Sequence, residues 1–398
     1  MVPVAEQNER EMARLRAWWA HRQGLDGSLG GRSAEEVLSA AGWTRSVGGS
    51  SPYLALFSRA GLRREEVDRA LAAGEIRELP SARGCTYVLP RSDYALGLAA
   101  GRNFSAQREL KTALGLGVTL EEITALRAAV LDALRGGALD SEGLKRAVGD
   151  AARSLGPEGV RKGLSNTLSV ALGLQEQAGE VRRIPVNGRL DQQRYRYALW
   201  VPNPLAGFPP DPSAAFAELA RRYFSWTGPA SMAEFQWFSG LGAKAAKAAA
   251  EPLGLVPAGD RLILPADLPA FEAFRLPSAP QYSLVSSLDS ITQLRRDFPS
   301  LLAPEDRDRA FNSAGKAVDL PGHAILDRGR VAGFWEYDPG RQAIVWMTFG
   351  KPDQALSDVV ARTEAFVRED LGDVRGNSLD SPKSREPKIA ALREATGA

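Results

Sequence analysis

The chain has 398 residues, 44% apolar and 25% charged, with a formal net charge of +2. A single cysteine, Cys85, and two distant histidines, His21 and His323, speak against a disulfide framework, a cysteine metal site, a zinc centre and a histidine-based triad. No apolar run approaches the ~20 residues of a membrane span, and the opening MVPVAEQNEREMARLR lacks the apolar core of a signal peptide. The expectation is a cytoplasmic protein of roughly two to four domains, away from membranes.

In chain order, residues 8–23 carry Met12, Leu15, Trp18 and Trp19 at helical spacing. RSAEEVLSAAG (32–42) has Ser33 and Glu36 placed as a capping box and Gly42 as a stop. A helix over 51–60 follows, with Ser50 or Ser51 as N-cap and Pro52 in its first turn. LRREEVDRALAAGE (62–75) reads as a further helix stopped at Gly74, and IRELPSARGCTYVLP (76–90) as two short strands about a turn. Three helices and a hairpin is the order of a winged helix-turn-helix unit.

The order recurs. Helical stretches at 119–137, 139–150 and 156–179 precede a strand pair at 180–200, and helices at 212–228, 231–242 and 243–252 precede a hairpin at 254–265. Little sequence is shared, so the architecture repeats and not the residues. After about residue 265, HAILDRGRVAGFWEYDPGRQAIVWMTFG (323–350) gives three β-rich runs separated by turn signals. A helix over 352–371 and a polar, Pro-containing trailing segment complete the chain. The expected fold is α+β: three tandem winged units (1–102, 103–204, 205–278), then a small antiparallel β-barrel with a C-terminal helix and polar tail (279–398).

A helix-turn-helix places its last helix in the major groove, and affinity comes mostly from Lys and Arg on phosphates. Between Arg161 and Arg196 there are seven basic and three acidic residues, a local excess of +4. Candidate nucleic-acid contacts are therefore Arg161, Lys162, Arg182, Arg183, Arg194 and Arg196 in the second unit, with Arg63, Arg64 and Arg83 in the first. Each arginine taken alone is equally consistent with a solvated face. Cys85 reads as a small packed residue of the hairpin, and His323 as structural or exposed.

PYLALFSRAGLRREEVDRALAAGEI with LPSARGCTYVLPRSDYALGL, then YFSWTGPASMAEFQWFSGLGAKAAKAA and LDRGRVAGFWEYD, resemble the winged-helix DNA-binding family that includes the AlkZ-like and YcaQ-like DNA glycosylases. The resemblance spans about residues 10–370 and is weakest at 95–200. It implies three winged domains and a β-barrel around a basic channel for duplex DNA. It also implies a monofunctional, metal-free and cofactor-free excision of N7-alkylated purines or unhooking of interstrand crosslinks, by an enzyme expected to be a monomer.

The resemblance breaks where it implies catalysis. The family's Gln-x-Gln or Gln-x-Asp pair, aligned without gaps, falls on Arg45 and Val47 of TRSVGGSSPYLAL, and no glutamine occurs between Gln23 and Gln107. Tyr87 stands where many relatives have a histidine in the wing. Arg45, Ser46 and Ser50 are then the candidate catalytic residues, with Arg45 on a phosphate and a serine positioning water. Trp43 is the candidate base-stacking residue, a core position being the other reading, and Asp289 is the alternative carboxylate. Three functions stay open: a divergent glycosylase, a non-catalytic DNA-binding protein, and a small-molecule or drug-sequestering protein.

Overall fold

A computed structural model describes residues 4–102, 104–209, 211–307 and 320–396. The first unit begins with the helix Ala34–Ala41, whose Ser33–Glu36 capping box forms as the sequence specifies. Strand β1 (Thr44–Arg45) follows, then the helices Ser51–Ala60 and Arg64–Ala73, then β2 (Ile76–Pro80) and β3 (Thr86–Pro90). The three strands pair in the order β1-β3-β2, so the strand after the first helix lies against the second strand of the hairpin.

The second unit repeats this plan. The helix Leu120–Leu134 leads to β4 (Leu139–Asp140), the helices Ser141–Val148, Gly156–Arg161 and Thr167–Gln177, then β5 (Val181–Pro185) and β6 (Tyr195–Leu199). Its sheet order is β4-β6-β5. The long helical stretch expected at 156–179 is broken at 162–166, where Asn166 caps the new helix by accepting from the Ser169 amide. Arg161 and Lys162 therefore close a short helix and do not open the last one. The third unit has the helices Pro212–Thr227, Met232–Ser239 and Ala243–Ala250, then β7 (Val256–Ala258) and β8 (Arg261–Ile263), with Ala230 bridging to Leu262 in place of a full first strand.

The C-terminal sheet is an open meander and not the expected barrel. β9 (Tyr282–Val285), β10 (His323–Asp327), β11 (Arg330–Asp338) and β12 (Ala343–Thr348) pair antiparallel in the order β12-β11-β10-β9. Four strands are too few to close around packed side chains. The edges β9 and β12 stay apart, and the helix Gln354–Phe366 packs against both. The tail expected to trail away instead forms the helix Pro382–Thr396 against β11 and β12. Its anchor is Arg385, 2% exposed, which donates to both carboxylate oxygens of Asp373 at 2.7 and 2.8 Å. A polar sequence conceals that anchor because the buried group is an arginine.

The first unit is held from two sides. One core joins Tyr53, Leu56 and Val67 to Leu284, Trp335 and Phe366 of the C-terminal part, with Phe57 stacked on Phe366 at 4.0 Å between centroids. The other joins Leu79, Tyr87 and Leu89 of the hairpin to Leu219, Phe224 and Phe235 of the third unit. The helix Ser51–Ala60 is buried on nearly every side, as an apolar helix between two layers must be. Between those layers Arg59 and Asp289 form a bidentate ion pair, 2.8 Å on each arm, with both groups almost fully buried. Asp289 also accepts from the Ile291 amide and caps a short helix, which makes it a structural residue.

Candidate active site and nucleic-acid interface

From Trp43 to Ser51 only Arg45 and Val47 are not buried. They are the two positions that the sequence resemblance, aligned without gaps, sets against the family's catalytic pair. The reason is local: β1 pairs with β3, Thr44 opposite Val88 and Arg45 opposite Tyr87, so side chains alternate inward and outward along the segment. Arg45 lies over the Tyr87 ring, 5.5 Å from its centroid, and its Nη1 donates to the Thr86 carbonyl at 3.3 Å.

The inward residues correct three sequence expectations. Trp43 is 0% exposed; its Nε1 donates to Asp93 at 2.9 Å, and Trp226 lies 5.4 Å away. It belongs to the core between the first and third units and cannot reach a base. Ser50 is buried, its hydroxyl donating to the Asp373 carbonyl and accepting from the Arg375 amide, while its own amide donates to the Arg375 carbonyl at 2.8 Å. It ties the loop to the C-terminal segment and makes no side-chain cap. The same segment explains Gly49, where a Cβ would lie 2.4 Å from the Arg375 oxygen. Ser46 is also buried and points away from solvent, toward Glu78.

Glu78 opens a chain of polar contacts between the first two units. Its Oε1 accepts from Ser46 and its Oε2 from the Tyr195 hydroxyl at 2.9 Å. The Arg183 guanidinium lies over the Tyr195 ring at 4.9 Å and pairs with Glu176 at 3.4 Å. Burial pushes the Glu78 carboxyl above the ordinary glutamate range, and Arg183, Ser46 and Tyr195 pull it back only in part. Glu176 is pushed up by burial, pulled down by Arg183, and pushed up again by Glu78 and Glu109. Burial also raises Glu109. Burial works against the Arg183 charge, but Glu176 and Glu78 outweigh it and hold the guanidinium protonated.

This chain ends in a cleft of about 380 Å³ between the first hairpin and the second unit, lined by Thr86, Glu109, Lys145, Glu176, Gln177 and Arg183 among others. The Thr86 carbonyl, on one rim, takes the Arg45 and Ser46 donors, so loop and cleft are adjacent. Sequence reasoning missed Glu78, Glu109 and Glu176. A signal existed: Glu78 shares the inward face of β2 with Ile76, and Glu109 lies three residues after buried Ala106 on its helix. Glu176 lies four after buried Leu172. Carboxylates on an apolar stripe are the informative exceptions to burial patterning.

The expected DNA contacts divide. Arg63 pairs with Glu369 and Asp370 at 2.9 and 2.8 Å, and Arg64 pairs with Asp68 at 3.1 Å while its amide donates to Asp370. These residues join the first unit to the helical turn Val367–Leu371 that follows the helix Gln354–Phe366. Arg83, at the turn with φ of 57°, lies 3.7 Å from the Trp237 ring centroid and so docks on the third unit. Arg183 is the cleft residue, Arg182 is half-buried, and Lys162 pairs with Glu158 at 3.1 Å. Arg161, Arg194 and Arg196 are exposed and make no ion pair among the described residues.

Two other sequence landmarks have structural roles. His323 is buried, its Nδ1 accepting from the Ser287 amide at 3.0 Å, and burial with Lys388 and Arg385 nearby lowers its pKa to about 3. Cys85 is half-buried in the hairpin turn. No group of His, Cys, Asp and Glu suited to a metal ion occurs among the described residues, and no helix of the structure is long and apolar enough to cross a membrane.

No curated protein matches the chain. Among solved structures, the fold is similar to the DNA glycosylase AlkZ of Streptomyces sahachiroi, with a TM-score of 0.66 and 22% identity over 92% of this chain and 98% of that one. The model of the family described as DNA glycosylase AlkZ-like matches residues 44–369, a span that begins at β1 and ends at Glu369, the partner of Arg63. With that match over most of its length, the chain belongs to the AlkZ-like DNA glycosylase family.

Proposed function

We propose that the protein is a monofunctional glycosylase acting on duplex DNA, and that it excises N7-alkylated purines, including those held in crosslinks. In this reading the three helix–hairpin repeats are winged helix-turn-helix units, and the protein works in the cytoplasm as a monomer. The observation that carries it is the presentation of Arg45 and Val47: alone in 43–51 they leave the interior, at the family's catalytic positions and beside a cleft lined with carboxylates.

The chemistry asks little of the protein. Alkylation at N7 makes the purine a cation, so when the C1′–N9 bond breaks its electron pair neutralises the departing ring. Positive charge then develops on the sugar, and water adds to C1′ with loss of a proton. An oriented dipole or negative group near that sugar would stabilise the developing charge. Arg45, half-buried over Tyr87, suits a backbone phosphate and would fix the register of the strand. Val47 has no hydrogen-bonding side chain and cannot orient water as a glutamine would.

That same valine favours a second reading, a family member that binds DNA without cutting it. The discriminating experiment is incubation of excess protein with duplex DNA containing N7-methylguanine, followed by alkali. Strand cleavage that disappears in Arg45→Ala, with duplex binding retained, supports excision at this loop. Intact strands with normal duplex binding would sink the catalytic reading and leave the second.

A further inference from the structure

The cleft between the first hairpin and the second unit has the wrong sign for a phosphate site. Its inner wall carries Glu109 and Glu176 against one cation, Arg183, while Glu142 and Lys145 stand exposed at its mouth. The Glu78 charge also acts on Arg183, and the Arg108 charge on Glu109. Arg183 is shared by Glu176 and Glu78, and the cation nearest in effect to Glu109 is the exposed Arg108, so three carboxylates face two guanidiniums and the cleft holds an excess negative charge when all are ionised. Desolvating such an arrangement is costly, and a cation entering the cleft would offset that cost.

A second observation points to a ligand independently of charge. Gln177 is 4% exposed and lines the cleft; its Nε2 donates to the Gly101 carbonyl at 2.7 Å, but its Oε1 has no hydrogen-bond partner among the described residues. A buried amide oxygen left without a donor is an acceptor waiting for one. The half-buried Tyr197 ring forms part of the wall and offers a π face, which attracts cations. The volume of about 380 Å³ falls within the range of about 300–1,000 Å³ usual for small-molecule pockets.

We propose that this cleft is the recognition site for the alkylated base, taking a positively charged N-alkylpurine displaced from the duplex, with Glu109 and Glu176 facing its charge and Gln177 accepting from its N–H edge. The proposal rests on the glycosylase reading and adds to it a specificity determinant. An unmodified purine is neutral and gains nothing from the carboxylates. Breaking the glycosidic bond neutralises the alkylated ring, so the product loses the interaction that held the substrate and is free to leave. Ground-state attraction of this kind acts on binding, so the cleft governs KM and discrimination more than kcat. Glu109 and Glu176 are binding residues, and Glu78 is a positioning residue acting through Arg183.

The test uses the full-length protein and three probes: 7-methylguanosine, which bears the ring cation, guanosine, and the free base 7-methylguanine, which is neutral. Calorimetry or tryptophan fluorescence should show 7-methylguanosine binding roughly tenfold or more tightly than the two neutral probes, the size expected of a charge interaction near a protein surface. Glu109→Gln and Gln177→Met, neither of which removes the partner of Arg183, should each erode that preference while undamaged duplex is bound as before. In excision assays the loss should fall on KM. Equal binding of all three probes, or a preference unchanged in both variants, overturns the proposal. Excision from alkylated duplex is read in parallel. Excision without nucleoside preference leaves the enzyme and removes the cleft site; preference without excision keeps the site and removes the catalytic reading.

Discussion

The first and second helix–hairpin units use arginine in opposite ways. In the first, Arg63, Arg64 and Arg83 are consumed by Glu369, Asp370, Asp68 and the Trp237 ring, so its charges join it to the rest of the molecule. In the second, Arg161, Arg194 and Arg196 stand exposed without ion pairs among the described residues, while Arg183 turns inward to Glu176. The first unit lies between two cores shared with other parts of the molecule, whereas the second has a core of its own, with Leu126, Val130, Leu144 and Leu168. Basic residues in two units built on the same plan therefore do different work according to what packs on them. Charge counted along a sequence does not separate the two.

The largest test of this contrast concerns the first unit as a structural hub. Trp43→Ala should cost about 3–5 kcal/mol, the usual range for removing a buried tryptophan, read as a shift in denaturant midpoint at unchanged slope. Trp43→Phe should recover much of that loss and bind duplex normally. Weakened DNA binding by a folded Trp43→Phe protein would instead return this residue to the interface.

Next in size is the second unit as the DNA-binding face. Replacing Arg161, Arg194 and Arg196 together by alanine should lower the slope of log affinity against log salt by about one for each phosphate no longer neutralised. Arg63→Ala with Arg64→Ala should leave that slope where it is. An equal effect from the two sets would erase the distinction between the units.

A smaller effect is expected at their junction. The Glu78 carboxyl is raised above the ordinary glutamate value of 4.5. A raised carboxyl contributes stability that is full below the unfolded value and is lost as pH rises through the folded one. The parent should therefore lose stability relative to Glu78→Gln as pH climbs above 4.5, by about 1.4 kcal/mol per pH unit at most. The check is parallel denaturant titrations across that range; a difference that does not change with pH would mean the carboxyl is well solvated. Smallest of all, Arg63→Ala should cost at most about 1 kcal/mol, since its partners lie in a partly exposed pair.

Much of the architecture is legible in the residues. Capping signals at Ser33 and Thr119, stops at Gly42 and Gly74, and the turns between β10, β11 and β12 mark elements that form where the local chemistry places them. The helices Tyr94–Gly101 and Ser105–Gly115 are not legible in this way; the first is short and apolar throughout, without an amphipathic period. The helix Pro382–Thr396 is concealed by its polarity. The site is half legible. Of the residues singled out on the loop 43–51, Arg45 reaches solvent, but burial forbids the base-stacking role suggested for Trp43 and the water-positioning role suggested for Ser50.

By itself the sequence determined the repeated helix–hairpin order, the family resemblance and the absence of the glutamine pair, because each is written in local spacing and residue type. Only the tertiary structure decided which arginines are free, that Ser46 faces Glu78, and that Glu109, Glu176, Arg183 and Gln177 meet in one cleft. Those facts depend on which surfaces of separate units are pressed together. Burial also sets the charge state of a carboxylate and the reach of an arginine, and it is a property of the packed molecule that no stretch of sequence carries alone.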